Sequence, residues 1–311
     1  MSKFRTAVLM QNATGMTYQS CRQSTLDRRS SHWVPVPDPW SRAQAHFEAL
    51  VVHTLADQLR DRQLDGAVLG ITAVDVRAWV PKLILHPTMA SYVISLLLPH
   101  YDSEYGGVRG LPGARPVHSH GRLVIVDRLG DAAVELAMAN AAAPPNPTPR
   151  PEMRADWRQH TMTAEETEER AWWESKGRPG FDKPVEQSIL NAEDLLFSRL
   201  LRRPRIVNRV AGSHGFVNSY THGTDLVLEW CCGVSHLEMR NLLDQSGLTH
   251  QIAHITPWNN LGADPERGTV IIERQEHSHS RSEPLLTLRS GQTCPSETPD
   301  ERRQRMDAWY R

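Results

Sequence analysis

The chain has 311 residues, of which 39% are apolar and 23% charged, enough for one large domain or two smaller ones with real cores, and too apolar for wholesale disorder. Lys plus Arg number 35 against 36 Asp plus Glu, a net charge of -1, so no global field draws the chain to nucleic acid or membrane. Any polyanion site must be a local patch. The longest apolar runs, such as 93–98, fall far short of the roughly 20 residues a spanning helix needs, and the start Met1–Met10 does not read as a secretory signal.

The cysteines are Cys21, Cys231, Cys232 and Cys294. No CxxC pair exists for zinc, and the adjacent Cys231 and Cys232 cannot form an ordinary disulfide with each other. A reducing, cytoplasmic location without membrane contact is the expectation. The basic residues are 31 Arg and only four Lys. The bland reading of that bias is genome base composition; its consequence is a supply of planar five-donor forks suited to phosphates and base edges.

In chain order, Phe4–Met10 alternates weakly and predicts a first strand, followed by a long polar loop over 11–40. Ser41-Arg-Ala-Gln44 is a capping box, and Phe47, Leu50, Val51, Leu55 and Leu59 form one helical apolar stripe. Short strands are expected at 66–71 and 74–80, and a buried helix or strand at 89–98. The segment 101–116, with Gly106, Gly107 and Gly110, predicts a flexible loop carrying Arg109 and Arg115. Arg122–Asp127 reads as a strand, and Asp131 as the cap of a helix running to about Ala142.

Prolines at 144, 145, 147, 149 and 151 make the strongest linker signal and place a boundary between an N-terminal half, 1–143, and a C-terminal half, 152–276. Thr163-Ala-Glu-Glu166 opens an acidic helix, and 185–200 a buried one that ends among Arg199, Arg202, Arg203 and Arg205. Cations there match the negative end of the helix dipole. A strand over 225–232, a helix capped by Ser235, a strand over 251–255, a loop and a strand over 269–273 make most of a ferredoxin-like unit. Residues 277–311 read as a polar, mobile tail. The fold class is therefore α+β, ferredoxin-like, with added helices and long loops.

Three sets of residues could carry function. One is Arg202, Arg203, Arg205 and Arg209. A second is Arg109, Arg115, His120 and Arg122, on and after the glycine-rich segment. A third is the Trp258–Asn260 loop with Arg267. Arginines beside glycine-rich backbone can hold phosphates, while Trp258 and Asn260 can stack on or hydrogen-bond splayed bases. The bland alternative is surface arginine paired with the equally numerous acids. The His118-Ser119-His120 and His277-Ser278-His279 pairs offer a metal reading, in which His250 or His254 could join His118 and His120. Nothing nominates a nucleophile, a dinucleotide fingerprint or a cofactor, so catalysis is the less favoured expectation.

Residues 46–56, reading His-Phe-Glu-Ala-Leu-Val-Val-His-Thr-Leu-Ala, resemble the early helix of the RAMP-type (repeat-associated) subunit of type IV CRISPR effector complexes. In that family this subunit grips the 5′ end of the guide RNA. Residues 226–233 with Leu237–Leu243 resemble its late strand and helix, and 248–262 with 267–270 its glycine-rich loop and strand. The resemblance covers about 75 residues. The loop that is basic in the family reads Thr256-Pro-Trp-Asn-Asn-Leu-Gly262 here, with no Lys or Arg before Arg267. The resemblance implies an RRM-related, ferredoxin-like fold and a non-catalytic, RNA-binding subunit of a ribonucleoprotein. Its partners would be a guide RNA and the other subunits. The metal-dependent enzyme and a structural assembly protein without nucleic acid remain as alternatives.

Overall fold

The computed structural model describes residues 2–27, 34–59, 67–77, 79–141, 145, 147, 156–158, 161–175, 192–210, 217–222, 225–230, 234–250, 253–258, 269–274 and 284–290. The chain opens with two helices, α1 (Lys3–Thr14) and α2 (Tyr18–Asp27), where the sequence predicts a strand and a loop. Ser2 caps α1 by accepting from the Arg5 amide, and Gly15 ends it at φ 77°. Ala7, Met10 and Ala13 then fall on one buried helical face; the period-2 reading of 4–10 misses this because the apolar run is too short to decide.

Helix α3 (Arg42–Gln58) follows the Ser41 cap as the sequence predicts. The second half of the capping box does not form. Gln44 turns inward instead, donating to Ala133 O and accepting from Ala133 N at 2.8 and 3.1 Å. A 3-10 turn over Val68–Gly70 then leads into β1 (Ile71–Asp75) and β2 (Lys82–Leu85). Gly70 sits at φ 69° with Val93 packed where a Cβ would lie. Helix α4 (Ala90–Leu97) resolves the ambiguous 89–98 run. The glycine-rich segment is not an open loop: β3 (His100–Asp102) and β4 (Gly107–Arg109) pair as a hairpin, and β5 (Ala114–Ser119) begins beyond it.

Strand β6 (Arg122–Asp127) falls where the sequence places it, but β7 (Ala132–Met138) replaces the helix expected after Asp131. Alanine-rich residues favour helix in isolation. Here they lie between two strands, with Val134 and Leu136 buried in the core, and tertiary pairing overrides propensity. The first sheet has the order β1-β2-β7-β6-β5, antiparallel except for the parallel β2–β7 pair.

Helix α5 (Ala164–Ser175) has the reciprocal cap expected of Thr163 and Glu166, at 3.1 and 2.9 Å. It packs on β4 of the β3–β4 hairpin and is tied to β5 through Arg115 and Glu166, and Trp157 N donates to Pro99 O at 3.2 Å. Residues 157 and 164–175, beyond the proline-rich stretch, thus contact elements that precede it. Helix α6 (Ala192–Leu201), the short α7 (Pro204–Val207) and a 3-10 turn over Asn208–Val210 lead to the second sheet. That sheet contains β8 (Val217–His222), β9 (Asp225–Trp230), β10 (Ala253–Trp258), β11 (Thr269–Arg274) and β12 (Pro284–Arg289), with α8 (His236–Gln245) between β9 and β10. Its order is β10-β11-β12-β9-β8, again antiparallel apart from one pair, β12–β9.

Strand β12 lies in the stretch read as a mobile tail, yet it is the central strand of the second sheet. Leu286 and Leu288 pair with Leu226 and Leu228 of β9, and all four side chains are buried. Polar neighbours on both sides dilute the signal of Leu285, Leu286 and Leu288. The architecture is α+β, with two mixed sheets, eight helices among the described residues, and one core cluster that runs through both sheets. No helix among the described residues is long and apolar enough to cross a membrane.

Candidate functional site

The arginines at the end of α6 converge, but inward. Glu48 stands among Phe47, Leu50 and Val51 on α3 and is wholly buried. Its carboxylate accepts from Arg202 Nη2 and Nε at 2.5 and 2.7 Å, from Ser198 Oγ at 2.6 Å, and from Gln44 Nε2 at 2.8 Å. Arg202 also donates to Pro37 O at 3.0 Å. Arg199 grips Asp38 through Nε and Nη2 at 2.7 and 2.8 Å, and its Nη1 reaches Leu248 O and His250 O. Burial raises the Asp38 pKa, but the Arg199 hydrogen bond and the charges of Arg199, Arg203 and Arg202 outweigh it and hold the carboxyl below its ordinary value.

Arg203 has no solvent exposure and no carboxylate in hydrogen-bond contact among its partners. It donates to Ser246 O and Oγ and to Arg199 O, at 2.9 to 3.3 Å. Those carbonyls belong to the C-terminal ends of α6 and α8, the negative poles of both helices. Burial first, then the neighbouring Arg199 charge, pulls its pKa down to about 9, which still leaves it charged at neutral pH. Three guanidinium groups thus meet two carboxylates and two helix ends. The hub ties together residues 37–38, α3, α6 and the end of α8.

Arg115 is equally interior. It forms a two-point bridge to the buried Glu166 of α5 at 2.9 and 2.8 Å and donates to Thr161 O. Burial raises the Glu166 pKa; the Arg115 bond, the Gly113 and Thr163 amides and the Arg115 charge lower it further than burial raises it. Arg109 binds Asp102 at 2.7 Å and lies 4.6 Å from the Tyr105 ring centre. So Arg115, Arg202 and Arg203 do not join an exposed furrow: each is buried and bonded within the fold. Arg205 and Arg209 are exposed, Arg209 at 3.8 Å from Glu238.

His118, His120 and Arg122 meet at the exposed β5–β6 tip. His120 and Gly121 form the tight turn at φ 50° and 71°, and Ser119 Oγ lies 2.8 Å from His120 Nδ1. No group of three or more His, Cys, Asp or Glu able to hold a metal occurs among the described residues. Trp258 ends β10, and His254 lies in the same strand; His250 is exposed after α8. Asn260, Arg267, His277 and His279 lie outside the described residues.

Two features escape a reading of motifs. The first is a ladder on the outer face of the first sheet. Asp75, Lys82, Glu135, Val124 and Val117 lie opposite one another across all five strands. Arg77 bonds Asp75, Lys82 Nζ lies 2.9 Å from Glu135, and Arg122 lies 3.7 Å from Glu135. Charges therefore alternate along a half-exposed face. The edge strand β5, which carries Val117, is blocked to strand addition at its start, residues 114–116. Pro116 has no N–H, Arg115 covers Ala114 O, and the Ala114 amide is used by Leu111 O.

The second feature is an aromatic corner. Trp40, just ahead of the α3 cap, meets Trp79 of the β1–β2 connection edge to face, with ring centres 5.6 Å apart and planes at 87°. Trp79 is 73% exposed and Trp40 46%. Two large indoles at the surface are costly unless something covers them. Their separation in sequence hides the pair; a tryptophan immediately before a helix cap was the only local signal. A shallow cavity of about 200 Å³ between residues 34–35 and the end of α8 is lined by Asp244, Thr249 and His250. No protein-family model matches the chain, and neither a curated protein nor a solved structure does.

Proposed function

We propose that this chain is a binding and assembly protein that docks a protein partner through the Trp40–Trp79 corner. The observation that carries the reading is the perpendicular pair itself. Both rings are exposed, and Arg77, two residues before Trp79, is paired with Asp75. Exposed aromatic side chains of this kind are the usual anchors of protein interfaces. The interior placement of Arg115, Arg202 and Arg203 supports the same reading, because their donors are already engaged.

The RNA-binding reading implied by the CRISPR resemblance, with its ferredoxin-like, RRM-related fold, is the rival. It rests on the cations that stay accessible: Arg122 beside His118 and His120, and Arg205 with Arg209. The deciding experiment captures the tagged full-length chain from its native host, wild type against Trp79→Ala, with and without ribonuclease. A protein that survives ribonuclease but falls about tenfold with Trp79→Ala supports the proposal. RNA recovered with both forms and lost on replacing Arg122 and Arg205 by Ala overturns it, as does an identical set of proteins from both forms.

A further inference from the structure

Each half of the molecule is built to one plan. A helical segment leads into a hairpin, a helix follows, and a three-stranded meander ends on a strand that pairs parallel with the second strand of the hairpin. In the first unit these are α3, β1–β2, α4 and β5–β6–β7; in the second they are α6 with α7, β8–β9, α8 and β10–β11–β12. The two strand orders become identical when each unit is numbered from its own first strand. The α1–α2 pair, which packs on α7 and β1, the β3–β4 hairpin and α5 are additions to the first unit alone.

The contacts between the units are also reciprocal. The leading helices α3 and α6 pack on each other. Beyond them, each leading segment covers the edge strand of the opposite unit. Ser219 of β8 donates to Ala56 O in the last turn of α3, at 3.1 Å. Asn208, following α7, donates to Ile71 O of β1 at 2.8 Å and accepts from the Val68 amide at 2.7 Å. A patch that meets its counterpart in both directions is the mark of a two-fold interface between like copies.

We infer that the chain is a covalently joined pseudo-dimer: two copies of one β-β-α-β-β-β unit, each with its leading helix docked on the other, with the Glu48–Arg202 hub buried in their joint. The interaction surface formed by α3, α6 and the two covered edges fits a second copy of the same unit. In this chain that copy is supplied internally, so the full-length protein does not use the surface to pair with another molecule. Within each sheet every described strand comes from one unit, so the covalent order of the units is immaterial to the pairing.

The inference is independent of the proposed docking corner and is tested on the full chain. A specific protease site is introduced between residues 176 and 191, and the folded protein is cut there. The two fragments are expected to co-elute at the size of the uncut chain and to unfold in one transition. Fragments that separate into two folded species, each with its own transition, would overturn the inference. A circular permutant that starts at residue 192 and joins 311 to 1 through a flexible linker provides the second reading. It is expected to keep the near-ultraviolet dichroism and the monomeric size of the parent; an unfolded permutant, or one that assembles into larger species, would also count against it.

Discussion

The hub at the α3–α6 joint and the ladder across the first sheet use the same ion pairs in opposite surroundings. In the hub, Glu48 and Arg202 have side-chain exposures of 0% and 3%; in the ladder, Lys82 and Arg122 reach 39% and 65%. Charges in the hub have lost their water and depend on the geometry of their partners. Charges in the ladder keep much of theirs and gain little from pairing. Identity of residue says nothing about which role an arginine takes; burial decides it. For that reason a set of arginines legible as a polyanion patch turns out to divide between interior fasteners and solvated surface groups.

The largest effect is expected from breaking the hub on one side. Glu48→Ala leaves Arg202 buried without its carboxylate and should cost about 3–5 kcal/mol in urea denaturation. Replacing Glu48 and Arg202 together by Leu and Met removes both charges and should recover most of that loss, which distinguishes an unpaired charge from a simple cavity. Next comes the α5 clasp. Glu166→Gln should cost about 1–3 kcal/mol and change the response to acid. The Glu166 and Asp38 pKa values are both lowered in the folded chain from the ordinary 4.5 and 3.8. Their contribution is therefore complete above those values and is lost as pH falls through the lowered folded ones. Glu166→Gln should flatten the decline in stability below about pH 4.5, measured as the urea midpoint against pH; an unchanged acid slope would refute that role.

Smaller effects sharpen the other side of the comparison. Lys82→Ala in the ladder should cost about 0.2–1 kcal/mol and less at high salt, read from the same denaturation curves at two ionic strengths. Trp79→Ala should change stability by no more than about 0.5 kcal/mol while lowering partner capture about tenfold. A large loss of stability would instead make that indole part of the core.

The sequence made some elements legible because the signal was local. Ser41, Thr163 and Ser235 cap their helices as spacing predicts. Strand β9 alternates visibly, and β6 and β11 are short apolar runs bounded by polar residues. Strand β7 and strand β12 were not legible, because their stability comes from neighbours distant in the chain: β7 lies between β2 and β6, and β12 between β9 and β11. The repeated plan was hidden for the same reason, since it resides in strand order rather than in residue identity. Of the candidate site, the clustering of Arg199, Arg202 and Arg203 was visible, but its direction was not. That depended on Glu48, one acid in an apolar helix, and Asp38, in a segment that reads as a loop. The aromatic corner required knowing that 40 and 79 meet.

The arginine hub is structural, and a double-mutant cycle on Glu48→Ala and Arg202→Ala measures that directly. Urea denaturation of the four proteins should give a coupling energy of about 2–3 kcal/mol between the two side chains. A coupling near zero, with Arg202→Ala leaving stability intact and weakening retention of RNA, would contradict it.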